Sequence, residues 1–284
     1  MTTIAKRKPA QNYQFTDQDF EKLRELIYKH TGIRMADNRR DLIYGRLSRR
    51  LRALDLHSFA DYCRLIEAGH EEELEAFTNA VTTNLTAFYR EAHHFDYLSR
   101  TLLPELMKEK RHDRKLRCWS AGCSTGEEPY TLAITLRETI RDIDSWDARI
   151  LATDLDSDVL ARAQQGIYNV ENIKRALGPR LKRWFLKGTG PHQGKAKVKP
   201  ELQALIDFKR LNLLEAWPMK CQFDFIFCRN VLIYFDKPTQ KQLFDRFAQK
   251  LVPGGHLFIG HSESPMDLTD RYELIGQSIY RKKY

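Results

Sequence analysis

Four short stretches of this chain concentrate side chains that could handle a ligand. The first, CWSAGCSTGEEPYTLA (118–133), sets Gly122 and Gly126 between a β-rich run and a helix opened by Pro129. Proline suits a first helical turn, and glycines there let backbone approach a ligand at the carboxyl edge of a parallel sheet. No G-K-[ST] follows, so nucleotide phosphates have no lysine, and G-x-G-x-x-G is absent. Glu127 and Glu128 stand at the helix start where a pyrophosphate would need bare N–H groups. Two carboxylates repel phosphate and favour a cationic ligand, although acids also cap helix dipoles without any ligand.

The second stretch, ILATDLDSDVL (150–160), is a hydrophobic strand ending in Asp154, where nucleoside-binding α/β folds hold ribose hydroxyls. Asp156 and Asp158 are expected to cap the next helix. A ribose-binding acid beside a loop that rejects phosphate points to a nucleoside carrying positive charge, a description that S-adenosylmethionine fits. The third, FDFIFCRNVLIYFD (223–236), delivers Arg229 and Asn230 at the end of a buried strand. It lacks the Asn/Asp-Pro-Pro-aromatic run that holds a planar amino group in enzymes methylating bases or amides. The fourth, TTNLTAFYREAHHFD (82–96), ends in a His93-His94 pair. Neighbouring helical residues point about 100° apart, and no cysteine or acid sits at ligand spacing. No metal is expected.

The elements that must position these residues change character along the chain. Up to about residue 85 the pattern is helical. TDQDFEKLRELIYKH (16–30) has a Thr N-cap, early acids and apolar residues at helical spacing, and Gly32 stops it. A second helix, from about Asp37 to Ala53, carries Arg39, Arg46, Arg49 and Arg50 on one face beside an apolar stripe; two more helices follow. From Leu116 onward β-rich runs alternate with helical ones, which argues for a doubly wound parallel sheet. Residues 184–210 interrupt this with a Gly- and Lys-rich stretch read as a small β-hairpin insertion. GHLFIGHS and QSIYRKKY, with only a loop between them, are expected to pair as an edge hairpin.

The 284 residues suggest two domains. No apolar run reaches the roughly 18 residues of a membrane span, and MTTIAKRKPAQNYQF lacks the apolar core of a secretory signal, so a flexible leader is expected. Five cysteines, an odd number with no C-x-x-C pair, read as reduced thiols in a cytoplasmic protein. The net charge of +9 favours an acidic partner, with seven arginines against two aspartates between Arg34 and Arg52.

TTNLTAFYREAHHF, WSAGCSTGEEPYTLA, ATDLDSDVLARAQQGIY, GTGPHQG, FDFIFCRNVLIYFD and GGHLFIGHSE together resemble the CheR family of chemotaxis receptor methyltransferases, from about residue 16 to the end. The departures are Tyr89, where a second Phe is common, and a distinctive Lys-rich 195–199. The resemblance implies an α/β chain: a flexible leader (1–14), an all-helical N-terminal domain (15–81), a linker contributing to the cofactor site (82–96), and a doubly wound, Rossmann-like methyltransferase domain (97–284) with a small antiparallel β insertion at about 184–210. It implies methyl transfer from S-adenosylmethionine to glutamates of cytoplasmic chemoreceptor helices. By position, Glu128 resembles the acid at the cofactor's methionine end, Asp154 the ribose acid, and Asn212 and Leu213 the pair around adenine. Arg229 and Asn230 resemble the strand-end pair, and Asn84, Thr86 and Arg90 the closing linker. Arg90 and Tyr234 are the expected catalytic residues, Arg90 binding a carboxylate and Tyr234 forming a wall beside the methyl. Arg39, Arg46, Arg49 and Arg50 are expected to meet receptor glutamates. The β insertion, with its GTGPHQG turn, is expected to tether a receptor's C-terminal pentapeptide. A monomer without nucleic-acid partner or membrane insertion is expected. An RNA methyltransferase and a non-catalytic cofactor-binding sensor are the alternative readings.

Overall fold

The structure, a computed structural model, describes residues 12–284. Most of the expected leader thus lies outside the described residues. Its end does not behave as a leader: Tyr13 is buried, its ring 6.1 Å from that of Phe59. The chain divides into two compact units, with the boundary between Thr82 and Thr83.

The first unit is helical: α1 (Asp17–Thr31), α2 (Arg40–Ala53), α3 (Phe59–Glu67) and α4 (Glu71–Val81). Local signals set the ends. The Thr16 hydroxyl accepts from Asp19 N (3.1 Å) while the Asp19 carboxylate accepts from Thr16 N (2.9 Å), a reciprocal capping box. Gly32 closes α1 at φ 69°, a left-handed conformation that costs glycine little. Leu23, Ile43, Leu47 and Phe59 are fully buried in one core, each contributing roughly 1.5–3 kcal/mol of burial free energy.

The second unit carries ten strands. They are β1 (Lys115–Ala121), β2 (Asp147–Asp154), β3 (Ile167–Asn169), β4 (Phe185–Lys187), β5 (Lys195–Val198), β6 (Ile206–Arg210), β7 (Phe223–Cys228), β8 (Leu251–Ile259), β9 (Tyr272–Gly276) and β10 (Ile279–Lys282). The main sheet runs β6-β2-β1-β7-β8-β10-β9. β6, β2, β1, β7 and β8 are parallel, and β10 is antiparallel to both its neighbours. From β1 the chain builds outward to β2 and β6 on one side and, from β7, to β8 on the other. Strand order therefore reverses between β1 and β7, and the crevice beyond their carboxyl ends is where such sheets take ligands.

Two expectations need correction. Residues 184–210 are not one hairpin. β4 and β5 do pair antiparallel around the Gly188–Gly194 turn, but Ile167–Asn169 adds a third strand to give β3-β5-β4. Ile206–Arg210 instead extends the main sheet in parallel with β2. IDFKR is an edge strand with mostly solvent-facing residues, and its alternation looks the same in either sheet. Likewise GHLFIGHS and QSIYRKKY pair, as β8 and β10, yet the segment between them supplies β9 at the outer edge.

Candidate cofactor and methyl-transfer site

The carboxyl ends of β1, β2 and β7 bring the sequence's ligand-type residues together. After β1, Gly122 and Cys123 turn back and donate to Thr153 O at 2.8 and 2.9 Å. Gly122 has φ 83°, and a Cβ there would stand 2.4 Å from Val231 Cγ2. Only glycine lets this loop lie against the segment that follows β7.

Glu128, in the first turn of the helix Glu127–Thr139, is buried. Its carboxylate accepts from Ser120 Oγ (2.7 Å) and from Arg229 Nη1 (3.1 Å). Burial raises its carboxyl, and the Arg229 charge opposes this. Arg229 is itself buried; it pairs with Glu91 at 3.4 Å and donates to Arg90 O. One guanidinium thus joins the strand end, the helix start and the linker.

Asp154 ends β2 and accepts from Ser124 N (2.7 Å) and Asp156 N (3.0 Å). Asp156 caps the helix Ser157–Gln165, accepting from Asp158 N and Val159 N, and its other oxygen takes Asn84 Nδ2 at 2.7 Å. Asp158 is a first-turn acid of that helix, not the cap. The linker is clipped again where Ser124 Oγ donates to Asn84 O (2.9 Å). Thr86 and Arg90 are half-buried, and Arg90 Nη1 donates to Leu85 O (2.9 Å). Phe88 and Phe95 anchor this segment, Phe88 edge-on to Tyr168 at 5.1 Å and Phe95 stacked on Phe227 at 5.5 Å.

Asn212 and Leu213 follow β6, whose end is tied to this edge by Leu211 N donating to Asp154 O (2.9 Å). Leu213 is buried; Asn212 accepts from Leu214 N (3.0 Å) and donates to Glu215 (3.2 Å). After β7, Asn230 is left-handed at φ 59°. Tyr234 is half-buried at the end of a 3-10 turn, Leu232–Tyr234, rather than packed inside a helix.

His93 and His94 overturn the geometric expectation. Both Nε2 atoms lie 3.1 Å from one carbonyl, Gln277 O, and the ring centroids are 4.2 Å apart. An acid is also at hand: Glu91, His93 and His94 bring ligand-type atoms within 4.8 Å of one another. Left-handed φ at Tyr89 and Glu91 turns the chain just before the helix begins at His93, and the Glu91 carboxylate comes to lie beside the two rings. Yet Arg229 stands against the same Glu91 carboxylate, and His261 Nδ1 is 3.1 Å from its other oxygen. Burial works to raise Glu91, but His261 and Arg229 outweigh it and hold the carboxyl low. Burial and Arg229 push His94 down to about 3, so that imidazole is neutral. The guanidinium already supplies the positive charge a divalent ion would bring.

The four candidate arginines separate, and Arg39 lies in a 3-10 turn (Asp37–Arg39) that precedes α2 rather than in the helix itself. Arg39 and Arg49 are exposed. Arg46 donates to Ala80 O and Thr82 O at the end of α4, and Arg50 pairs with buried Glu73, which also accepts from Tyr62 Oη at 2.7 Å.

The residues present suit a cationic nucleoside. Two buried carboxylates stand at the carboxyl edge of the sheet, Glu128 in the first turn of the helix after β1 and Asp154 at the end of β2, and Asn230 Oδ1 is a buried acceptor with no hydrogen-bond partner, which a ligand ammonium would satisfy. Burial lifts Asp154 to about 6 while the backbone N–H groups of Asp156 and Ser124 pull it down. With its folded value above the ordinary one near 3.9, stability linked to Asp154 is complete below about pH 4 and lost as pH rises through about 6. A ligand hydroxyl that donates to the carboxylate has the opposite preference. Affinity for S-adenosylmethionine is expected to fall about tenfold from pH 7 to pH 5, and Asp154→Asn to flatten that dependence; calorimetric titration across this range checks it.

Sequence reasoning missed Ser120, Ser124, Glu91 and Glu263. Ser120, Ser124 and Glu91 lie inside the singled-out stretches, but the partners named above are 8 to 170 positions away, beyond the reach of any local pattern.

Comparison with known proteins covers both compact units. Residues 84–281 match the family model "CheR methyltransferase, SAM binding domain" and residues 18–82 match "CheR methyltransferase, all-alpha domain". The chain is similar to "Chemotaxis protein methyltransferase 2" of Pseudomonas aeruginosa, 47% identical over 95% of each chain. It is also 45% identical to the "Chemotaxis protein methyltransferase" of Escherichia coli, over 93% of this chain and 91% of that one. Two family models in tandem over nearly all the described residues, each on its own compact unit, place the chain in the CheR family of S-adenosylmethionine-binding chemotaxis methyltransferases.

Proposed function

We propose that this protein methylates glutamate side chains on the cytoplasmic helices of chemoreceptors, giving glutamyl methyl esters. The observation that carries this reading is that the site's ionisable groups are already engaged. Glu128 is held by Ser120 and Arg229, Asp154 by backbone N–H groups, and Glu91 by His261 and Arg229. No side chain among them stands ready as a general base, and this reaction needs none. When bound, the cofactor supplies an electrophilic sulfonium methyl, which a glutamate carboxylate, an anion at neutral pH, accepts without proton transfer.

The chain's own residues then align and exclude water. Glu128 and Asn230 hold the amino-acid end, Asp154 the ribose, and Asn212 and Leu213 flank the adenine. Asn84 and Thr86 close the linker over these groups. Arg90 binds the incoming carboxylate, and Tyr234 walls the path of the methyl. Arg229 opposes the rise that burial gives the Glu128 carboxyl. On the helical unit, exposed Arg39 and Arg49 steer acidic receptor helices, while Arg46 and Arg50 hold the face that displays them. No helix among the described residues is long and apolar enough to cross a membrane, and on this reading the protein works in the cytoplasm as a monomer.

The small β3-β5-β4 sheet has two outer strands, each able to accept a further strand from a receptor's C-terminal pentapeptide. Such a tether raises the local concentration of the methylation helices. Titration with a pentapeptide ending in an aromatic residue is expected to show saturable binding below about 1 mM; no binding at millimolar peptide removes tethering from the reading.

The reading as a whole is tested with radiolabelled cofactor, receptor-containing membranes and, separately, RNA. Base-labile label on the receptor supports it; label on RNA, or none, contradicts it.

A further inference from the structure

Four successive backbone N–H groups, those of Asn230, Val231, Leu232 and Ile233, lie just past the end of β7, with no strand to pair with. One side chain accepts from all of them. The Glu263 carboxylate, 33 residues further along the chain, takes Asn230 N at 2.8 Å, Val231 N at 3.0 Å, Leu232 N at 2.7 Å and Ile233 N at 3.2 Å. It takes a fifth N–H, that of Gly260, at 2.6 Å. Glu263 is buried, at 7% exposure. Every near partner is a donor, so a proton on this carboxyl would face an N–H; the ionised form is the one that fits. Burial raises the carboxyl, and the N–H groups of Asn230, Gly260, Leu232 and Ile233 oppose it.

The neighbourhood is built closely around this contact. A Cβ at Gly260 would stand 2.6 Å from Asn230 Nδ2 and 2.9 Å from Glu263 Oε2. Asn230 itself is held left-handed, a conformation that non-glycine residues keep only when their surroundings enforce it. The segment so held runs from Arg229, which binds Glu128, through Asn230 to Tyr234.

We propose that Glu263 is a positioning residue for methyl transfer: its carboxylate fixes the Arg229–Tyr234 loop in the shape that presents Asn230 and Tyr234 to the cofactor. This rests on the functional reading above for the identity of the reaction, but the loop's dependence on Glu263 does not. Glu263→Gln keeps the size of the side chain and removes the charge. It also turns an amide NH2 toward N–H groups that need an acceptor.

Two measurements decide it. In the unaltered protein, amide exchange at 230–233 is expected to be slowed as in a strand, although these residues lie outside any strand; exchange as fast as in an open loop would overturn the proposal. In Glu263→Gln, exchange at 230–233 and 260 is expected to accelerate at least about tenfold while β1 and β2 stay protected. At saturating cofactor and receptor, kcat is expected to fall about 30- to 100-fold with receptor KM within about twofold, the cost of a misplaced reacting geometry. Unchanged exchange in the loop, equal loosening of β1 and β2, or kcat within twofold of the unaltered protein would each contradict the assignment. The exchange arm uses no receptor, so failure of the unaltered protein to methylate receptors would count against the functional reading alone.

Discussion

Arg229→Met is expected to destabilise the sheet-bearing unit by about 3–5 kcal/mol and to remove measurable methyl transfer. The Arg229 side chain is 2% exposed and lies against two carboxylates, Glu91 and Glu128, whose side chains are 12% and 10% exposed. Methionine fills much of the volume but leaves both acids without their cation. Each carboxylate must then take up a proton or stay charged in a poor dielectric, and either outcome opposes folding. The same substitution frees Arg90 O, which Arg229 otherwise engages, so the linker loses one of its ties. Adding Glu128→Gln to Arg229→Met should restore part of the stability, since one of the two stranded charges is gone, without restoring transfer. Denaturant unfolding of the two single variants and the double variant measures this coupling. A loss below about 1 kcal/mol for Arg229→Met would show that the pair is solvated and the network incidental.

The second large effect falls on the helical unit. Arg50→Met is expected to lower stability by about 2–4 kcal/mol, because it strands Glu73, which is buried and otherwise shared between Arg50 and Tyr62. The lower part of that range is favoured by the Arg50 side chain, which is 31% exposed. Arg49→Glu and Arg39→Glu should behave differently. Both residues are exposed, so their reversal is expected to leave the melting temperature within about 2 °C and cofactor affinity unchanged. Receptor KM should rise several-fold as long-range attraction for acidic helices is lost. Thermal unfolding and steady-state kinetics on the three variants separate a fold-holding arginine from a partner-facing one. If Arg50→Met melts normally, the division drawn between the two pairs is wrong.

That division marks where sequence reading stops. Helical spacing puts Arg39, Arg46, Arg49 and Arg50 on a common face, and α2 does run through the last three, while Arg39 ends a 3-10 turn (Asp37–Arg39) just before it. Which of them bind within the domain depends on Glu73 and the end of α4, 23 or more positions away. Contact between distant segments is not written in any local period. Features that act locally were readable: the Thr16 cap, the Gly32 stop, Pro129 in the first turn of its helix, and Asp156 as the cap after β2. So was the place of Gly122 in the loop after β1, although the reason given for it, close approach to a ligand, differs from the left-handed φ and the nearness of Val231 that the fold imposes there.

Edge strands were harder. β6 and β9 are short and partly exposed, so they lack the apolar run that identified β1, β2 and β7. The His93-His94 turn failed for a different reason. The two histidines are helical, and what went unseen was the acid: the backbone turns left-handed at Tyr89 and Glu91 just before the helix starts, and Glu91 ends beside both rings. Glu263 lay in plain sight within GHSE, yet its function as an acceptor for four N–H groups 30 to 33 positions earlier needs the fold to be seen.

The most direct test of the whole interpretation is transfer of labelled methyl from S-adenosylmethionine to a defined chemoreceptor, followed by mild base. The expected result is label on receptor glutamates that is released as methanol by base, abolished by Arg90→Ala, and absent when RNA replaces the receptor. Label that survives base, or that appears on RNA in preference to receptor, would contradict glutamate O-methylation as the activity of this protein.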